Sequence, residues 1–320
     1  MTISNYPNGF KNGVTLRGVP VEIPNPGKVF WVNNSTVLAV GGVGGSNGND
    51  GTYQRPFQTI DYAIGRCTAG RGDTIYVMPG HVENVSGAAS VDIDVAGVSI
   101  IGLGRGSDQA RFDFTATAST VVVDAANCSI INMNFHANVS GVVIGLSVIA
   151  AATDLLVKDC IFDVEATTTD EFVISANLGV GCDRTIIDNC SFDMGLGGAA
   201  AGVKLVGASA DVQITNSKFQ GDYSLAIISG ITTLSTNVLI SNNLLLQGTT
   251  GNLNAVAVIV LLTWTTGIIR DNYIVCDVAT FALQTVADTC SFLNNQRTDD
   301  IGEAKVSTTI SASVTVSADA

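Results

Sequence analysis

Two carboxylates, Asp163 and Asp193, each stand one residue after a phenylalanine, in the like segments IFDVE and SFDMG. If those segments occupy adjacent layers, the carboxylates lie side by side with Glu165 close by. Such a pair can share a proton, hold Ca²⁺ or grip a sugar. The equivalent places further on are Gln220 and Leu246, so the acidic column stops there, and a solvated face of an acidic chain explains it equally well. Asp92 and Asp94 in VDIDV alternate outward and carry the same reading. His136 follows Phe135 at the place that Asp163 occupies after Phe162, and a surface histidine is a simpler reading than a catalytic one. Lys158 and Arg270 precede the corner residue and point outward, and a base role for either is much the weaker reading. Cys160 and Cys190 would sit one above the other, as stacked thiols or as a disulfide across layers.

The remaining chemistry is thin. Seven cysteines, an odd number without CxxC spacing, read as small buried hydrophobes in a reducing compartment. His81 and His136 have no cysteines spaced around them for zinc. No GxSxG, HExxH or Cys–His nucleophile is present. The sequence therefore predicts no catalytic set, no metal and no cofactor.

What must position these residues is a repeat. The segments SIINMNF (129–135), LVKDCIF (156–162), IIDNCSF (186–192), QITNSKF (213–219), LISNNLL (239–245) and IIRDNYI (268–274) share one template. Asn or Asp holds the fourth place: Asn132, Asp159, Asn189, Asn216, Asn242, Asp271. A β-branched residue stands two places earlier and a large apolar residue three places later. The spacings are 27, 30, 27, 26 and 29 residues, and Gly102 and Asn294 extend the series in both directions. Within each unit the apolar period is two, the signature of a strand with one face inward. Asn and Asp tolerate the left-handed backbone that turns a chain sharply. About eight such units predict an all-β fold, a right-handed parallel β-helix, with the six Asn/Asp residues stacked as a corner ladder. Val, Ile and Thr are abundant and the apolar runs short, which argues against helical repeats. The fixed period argues against a sandwich, and the missing leucines against leucine-rich repeats.

The domain plan follows: residues 1–50 form an anchoring arm and Gly-rich linker, 51–297 the β-helix with its cap, and 298–320 a Ser/Thr/Val-rich tail. Phe57, Ile60, Ala63, Ile64 and Cys67 share one helical face, which suits a helix plugging the open end of a solenoid. The run GGVGGSNGNDG (41–51) reads as flexible linker, since no Lys-Ser/Thr follows to make a phosphate cradle. Net charge is −13 without a basic cluster, which leaves nucleic acid no electrostatic footprint. The most apolar run, AVAVIVLLTW (255–264), is too short to cross a membrane. It is apolar on both faces, so its outer face needs cover. A homotrimer with Val258, Val260, Leu262 and Trp264 at the interface supplies it.

Two resemblances bear on function. GTYQRPFQTIDYAI followed by GDTIYVMPG resembles the opening of pectate-lyase-like β-helix proteins, which implies fold and little about activity. NYPNGFKNGVTLRGVPV followed by PGKVFWV (Asn5–Val21, Pro26–Val32) resembles the opening of a group of tailed-bacteriophage virion proteins. That resemblance implies a non-enzymatic structural role: a capsid decoration or cement protein on the virion surface, assembled in the host cytoplasm and seated as a trimer on the major capsid protein or another virion protein. It supplies no catalytic residues. The arm holds four of the six prolines, with Lys11, Arg17 and Lys28 as positive charges. Its docking residues are expected to be Tyr6, Phe10, Arg17, Phe30 and Trp31. The alternatives are a tail fibre, tailspike or baseplate component that binds, and sometimes cleaves, host polysaccharide, and a free polysaccharide lyase or hydrolase.

Overall fold

Each repeat unit contributes three short strands, and successive units stack them into three sheets of ten, eleven and eight strands. The computed structural model describes residues 14–16, 19–21, 27–36, 38–149, 152–166, 169–196, 198–230, 234–249, 252–253, 258–261, 265–276, 283–285, 290–298 and 308–310. The first sheet runs from Val29–Val32 to Cys290–Leu293, and all its pairings are parallel. The second runs from Val82–Val85 to Asn295–Thr298 and ends on Thr308–Ile310, which pairs antiparallel. The third runs from Val91–Ile93 to Leu283–Thr285. The architecture is a parallel β-helix. Among the described residues no helix is long and apolar enough to cross a membrane.

The template residues stack as the repeat requires. Ile100, Ile130, Val157, Ile187, Ile214, Ile240 and Ile269 are partners in register through the first sheet, and all are buried. Phe135, Phe162, Phe192 and Phe219 enter the core of the second sheet, with ring centroids 4.3, 4.5 and 4.3 Å apart and planes within 9°. Such contacts stabilise by roughly 0.5–1.5 kcal/mol per pair beyond area burial.

All six corner residues are in the left-handed region, with φ from 52° to 57°, and Asn294 joins them at 51°. Each corner N–H donates to a carbonyl of the next turn, from Asn132 to Lys158 O through Asp271 to Leu293 O, so the corners form one file. Their side chains do not make an unbroken amide ladder. Asn189 donates to Asp159 and Asn294 to Asp271, whereas Asn216 reaches Asp188 and Asn132 reaches the Gly102 carbonyl. Gly102 is not left-handed; Gly104 makes the positive-φ turn at that level, with φ 91°. A Cβ on Gly102 would come within 2.3 Å of the Asn132 carbonyl oxygen, which explains the glycine.

A continuous amide ladder exists one residue later. Asn243 donates from its backbone and side-chain nitrogens to Asn272 Oδ1, and Asn272 does the same to Asn295 Oδ1, at 2.9–3.1 Å. All three are buried. A second left-handed file, unforeseen from the sequence, lies five residues before the first: Asn127, Asp154, Arg184, Asp211 and Asn237.

The cap helix α1 spans Ile60–Ile64 and buries Ile60, Ala63 and Ile64, beside buried Phe57. Thr59 caps its N-terminus by accepting from Tyr62 N. It is shorter than the helical face suggested, because Gly65 ends it.

Three expectations are corrected. Phe30 and Trp31, expected in the docking arm, lie in the first strand of the rod: Phe30 is buried against Phe57, and Trp31 stacks on Tyr76. The Gly-rich segment is not a free linker. Its residues bond to that first strand and its neighbours, with Trp31 N donating to Gly51 O, and a Cβ on Gly45 would strike Asn33 O. Val258, expected at an oligomer interface, is 0% exposed within the chain's own core, while Val260 faces outward and is half-buried. Leu262, Trp264, Tyr6, Phe10 and Arg17 lie outside the described residues.

Candidate functional site

The period of two places every second residue of the second sheet outside. On strands Arg111–Phe114, Asn134–Ala137 and Ile161–Val164, that puts Asp113, His136 and Asp163 in register in one outward column. The next residue of that column is Asp193, since Phe162 pairs with Phe192. The expected adjacency of Asp163 and Asp193 is thus present, but the chemistry centres on His136.

His136 Nδ1 lies 2.7 Å from Asp163 Oδ1, and Nε2 lies 3.0 Å from Glu165 Oε2. Asn134 Nδ2 donates to the other Asp163 oxygen at 3.1 Å. Arg111 stands 3.7 Å from Asp113, beside the same cluster. The histidine is only 7% exposed. Its pKa is raised, chiefly by the hydrogen bond to Asp163; desolvation and the Arg111 charge oppose the rise, while the Asp163 charge and the Glu165 bond add to it. Both ring nitrogens face carboxylate oxygens, an arrangement that favours the protonated imidazole. Asp193 Oδ1 accepts from Gly195 N in its own turn, whereas Asp163 is engaged by His136 and Asn134, so the two aspartates are held by separate partners.

A second titratable pair sits under the cap. Asn34 N–H donates to His81 Nδ1, which fixes the Nε2–H tautomer that donates to Glu83 Oε2 at 2.9 Å. Ile60 N–H at the start of α1 donates to the same carboxylate oxygen. This pair ties strand Val82–Val85, helix and first turn together.

The other candidates resolve into local pairs. Lys158 lies 3.5 Å from Asp188 and Arg270 3.6 Å from Asp271. Cys160 and Cys190 are buried free thiols stacked on adjacent turns, and the contact with Cys160 and burial push the Cys190 thiol up. Asp92 is not simply solvated. Its Oδ1 is buried without a hydrogen-bond partner, and its pKa is raised by desolvation and then by Asp124, Asp94 and Asp61. Among the described residues no group of three or more His, Cys, Asp or Glu is placed to hold a metal.

No family model matches the chain. No curated protein matches it either. Solved structures do resemble it in fold. A rhamnogalacturonan lyase superposes with a TM-score of 0.59 at 14% identity, over 85% of this chain and 74% of that one. Pectate lyase Pel9A superposes with a TM-score of 0.59 at 13% identity, over 84% of this chain and 69% of that one. At such identity the likeness establishes the β-helix fold and leaves the site to be read from its own residues.

Proposed function

We propose that the chain is a non-catalytic structural protein of a bacteriophage virion, a decoration or cement protein that sits on the capsid surface as a homotrimer. The observation that carries the non-catalytic part is the engagement of His136. Both ring nitrogens of His136 lie within hydrogen-bond distance of carboxylates of the next turn, Asp163 and Glu165, which leaves neither nitrogen turned to an incoming substrate. The cluster acts as a clamp between adjacent turns of a rigid rod. The N-terminal segment, through its resemblance to the opening of phage virion proteins, supports docking on the major capsid protein. Immunogold electron microscopy of virions tests this: label over the head lattice is expected, and label confined to the tail overturns it.

The second reading is a tail fibre, tailspike or baseplate component that binds host polysaccharide. It is favoured by the shared fold with two polysaccharide lyases and by the outward column of Asp113, Asp163 and Asp193. Incubation with host surface polysaccharide, followed by assays for new reducing ends and unsaturated products, separates cleavage from a structural role. Release of either product would overturn the non-catalytic reading.

A further inference from the structure

We propose that the last turns of the rod carry a binding subsite for one pyranose unit of a neutral glycan, centred on Tyr273. Asp271, Asn272, Tyr273, Asn294 and Gln296 line a half-open depression of about 190 Å³. Asp271 and Asn294 are consecutive corner residues, joined by the Asn294 Nδ2 to Asp271 Oδ1 bond at 2.8 Å. Tyr273 and Gln296 are partners in register on the next strands of the second sheet. Asn272 is held in the buried ladder beneath them, so the floor is rigid.

The aromatic at this place is unusual within the molecule. The same outward column holds Arg111, Asn134, Ile161, Ser191, Lys218 and Leu244 on earlier turns. The phenylalanines of the core column are fully buried, whereas Tyr273 is 42% exposed. Its neighbour in register, Leu244, is also exposed and widens the apolar platform. An exposed aromatic face beside amides and a carboxylate is the chemistry of pyranose recognition. The ring covers the C–H face of the sugar, while Asn294, Gln296 and Asp271 meet its hydroxyls.

Charge selects among sugars. Asp271 lines the depression with Arg270 3.6 Å away, so it is the net charge of −13 over the whole chain that disfavours a polyuronate, a penalty a neutral hexose does not meet. The depression is shallow, and about millimolar affinity per site follows for so few contact atoms. A trimer would raise this by avidity. The site is independent of where in a virion the protein sits, so microscopy that relocates the chain leaves this inference standing.

The test uses the full chain with linear glucan, mannan and N-acetylglucosamine oligomers, and polygalacturonate as the acidic comparison. Saturation-transfer NMR detects contact and titration gives affinity. At least one neutral oligomer is expected to bind and polygalacturonate is not. Tyr273→Ala should weaken binding about tenfold or more, and Tyr273→Phe should retain it. Gln296→Ala, at an exposed position outside the left-handed corners, gives a second readout and should weaken binding severalfold. Binding by no neutral oligomer, binding by polygalacturonate alone, or affinity unchanged in both Tyr273→Ala and Gln296→Ala overturns the proposal.

Discussion

A histidine held between two carboxylates makes the stability of the rod depend on pH in a definite direction. His136 has its folded pKa raised above the ordinary 6.5, first by the hydrogen bond to Asp163. The contribution of the clamp is therefore fully present below about pH 6.5 and is lost as pH rises through the higher folded value. His136→Gln should lower the melting temperature most near pH 6, by the equivalent of roughly 1–2 kcal/mol, and progressively less toward pH 9. A deficit that does not shrink over that interval would show that packing, not charge, is lost. Asp92 runs the other way. Burial and the neighbouring Asp124, Asp94 and Asp61 raise its pKa, so its ionised form destabilises the fold as pH rises through the folded value. Asp92→Asn should raise the melting temperature at pH 7 and give no gain near pH 3. At this scale the sequence was only partly legible. It put His136 and Asp163 at equivalent places and Glu165 close by, but paired Asp163 with Asp193, because the reach of the His136 ring to both carboxylates of the next turn does not show in a one-dimensional register.

At the scale of strands and corners, the recurrent Asn/Asp was legible because left-handed φ is a strong chemical filter. Few residue types accept it, so spacing and identity together gave the corner. The second file escaped for the same reason inverted. It contains Arg184, and its turn precedes the strand, where no apolar template marks it. The buried ladder of Asn243, Asn272 and Asn295 escaped because period-two reasoning assigns polar residues to the outside. In that column Met133, Cys160, Cys190 and Ser217 precede the asparagines, so only the later turns carry the amide. Asn272 accepts two hydrogen bonds from Asn243 and donates to Ile240 O and Asn295. Asn272→Leu would bury the partners unsatisfied, and equilibrium urea unfolding should show a loss of about 2–4 kcal/mol. The corner residue Asn189 should behave differently. Asn189→Ala removes the Nδ2 bond to Asp159 and puts a residue less tolerant of left-handed backbone at the corner, and should cost about 1–2 kcal/mol, whereas Asn189→Gly, free of the Cβ penalty, should recover part of that loss.

For the whole molecule, the parallel stack means that each turn is stabilised by the turn on either side, and an uncovered end is the weak point. The sequence placed the start of the rod at the cap helix, and the structure moves it earlier. Strand Val29–Val32 pairs in register with Thr74–Val77, and Val32 and Phe30 join the core above Ile75 and Val77. The hairpin Val14–Leu16/Val19–Val21, in contrast, forms its own two-stranded sheet. The rod therefore includes Val29–Val32 and does not begin near residue 50. The Gly-rich segment looks like linker by composition, yet a Cβ on Gly45 would strike Asn33 O just after the first strand, one on Gly51 would strike Phe57, and Gly51 O accepts from Trp31 N. Two truncations separate the roles. Removal of residues 1–26 should leave the melting temperature within about 3 °C of the full chain while abolishing assembly onto the partner surface. Removal of residues 1–40 should also strip the first strand, expose Ile75 and Val77, and lower the melting temperature by roughly 10 °C or more. If both truncations melt alike, the first strand is not part of the cooperative rod. If the shorter truncation still assembles, docking belongs to the rod surface and not to the arm.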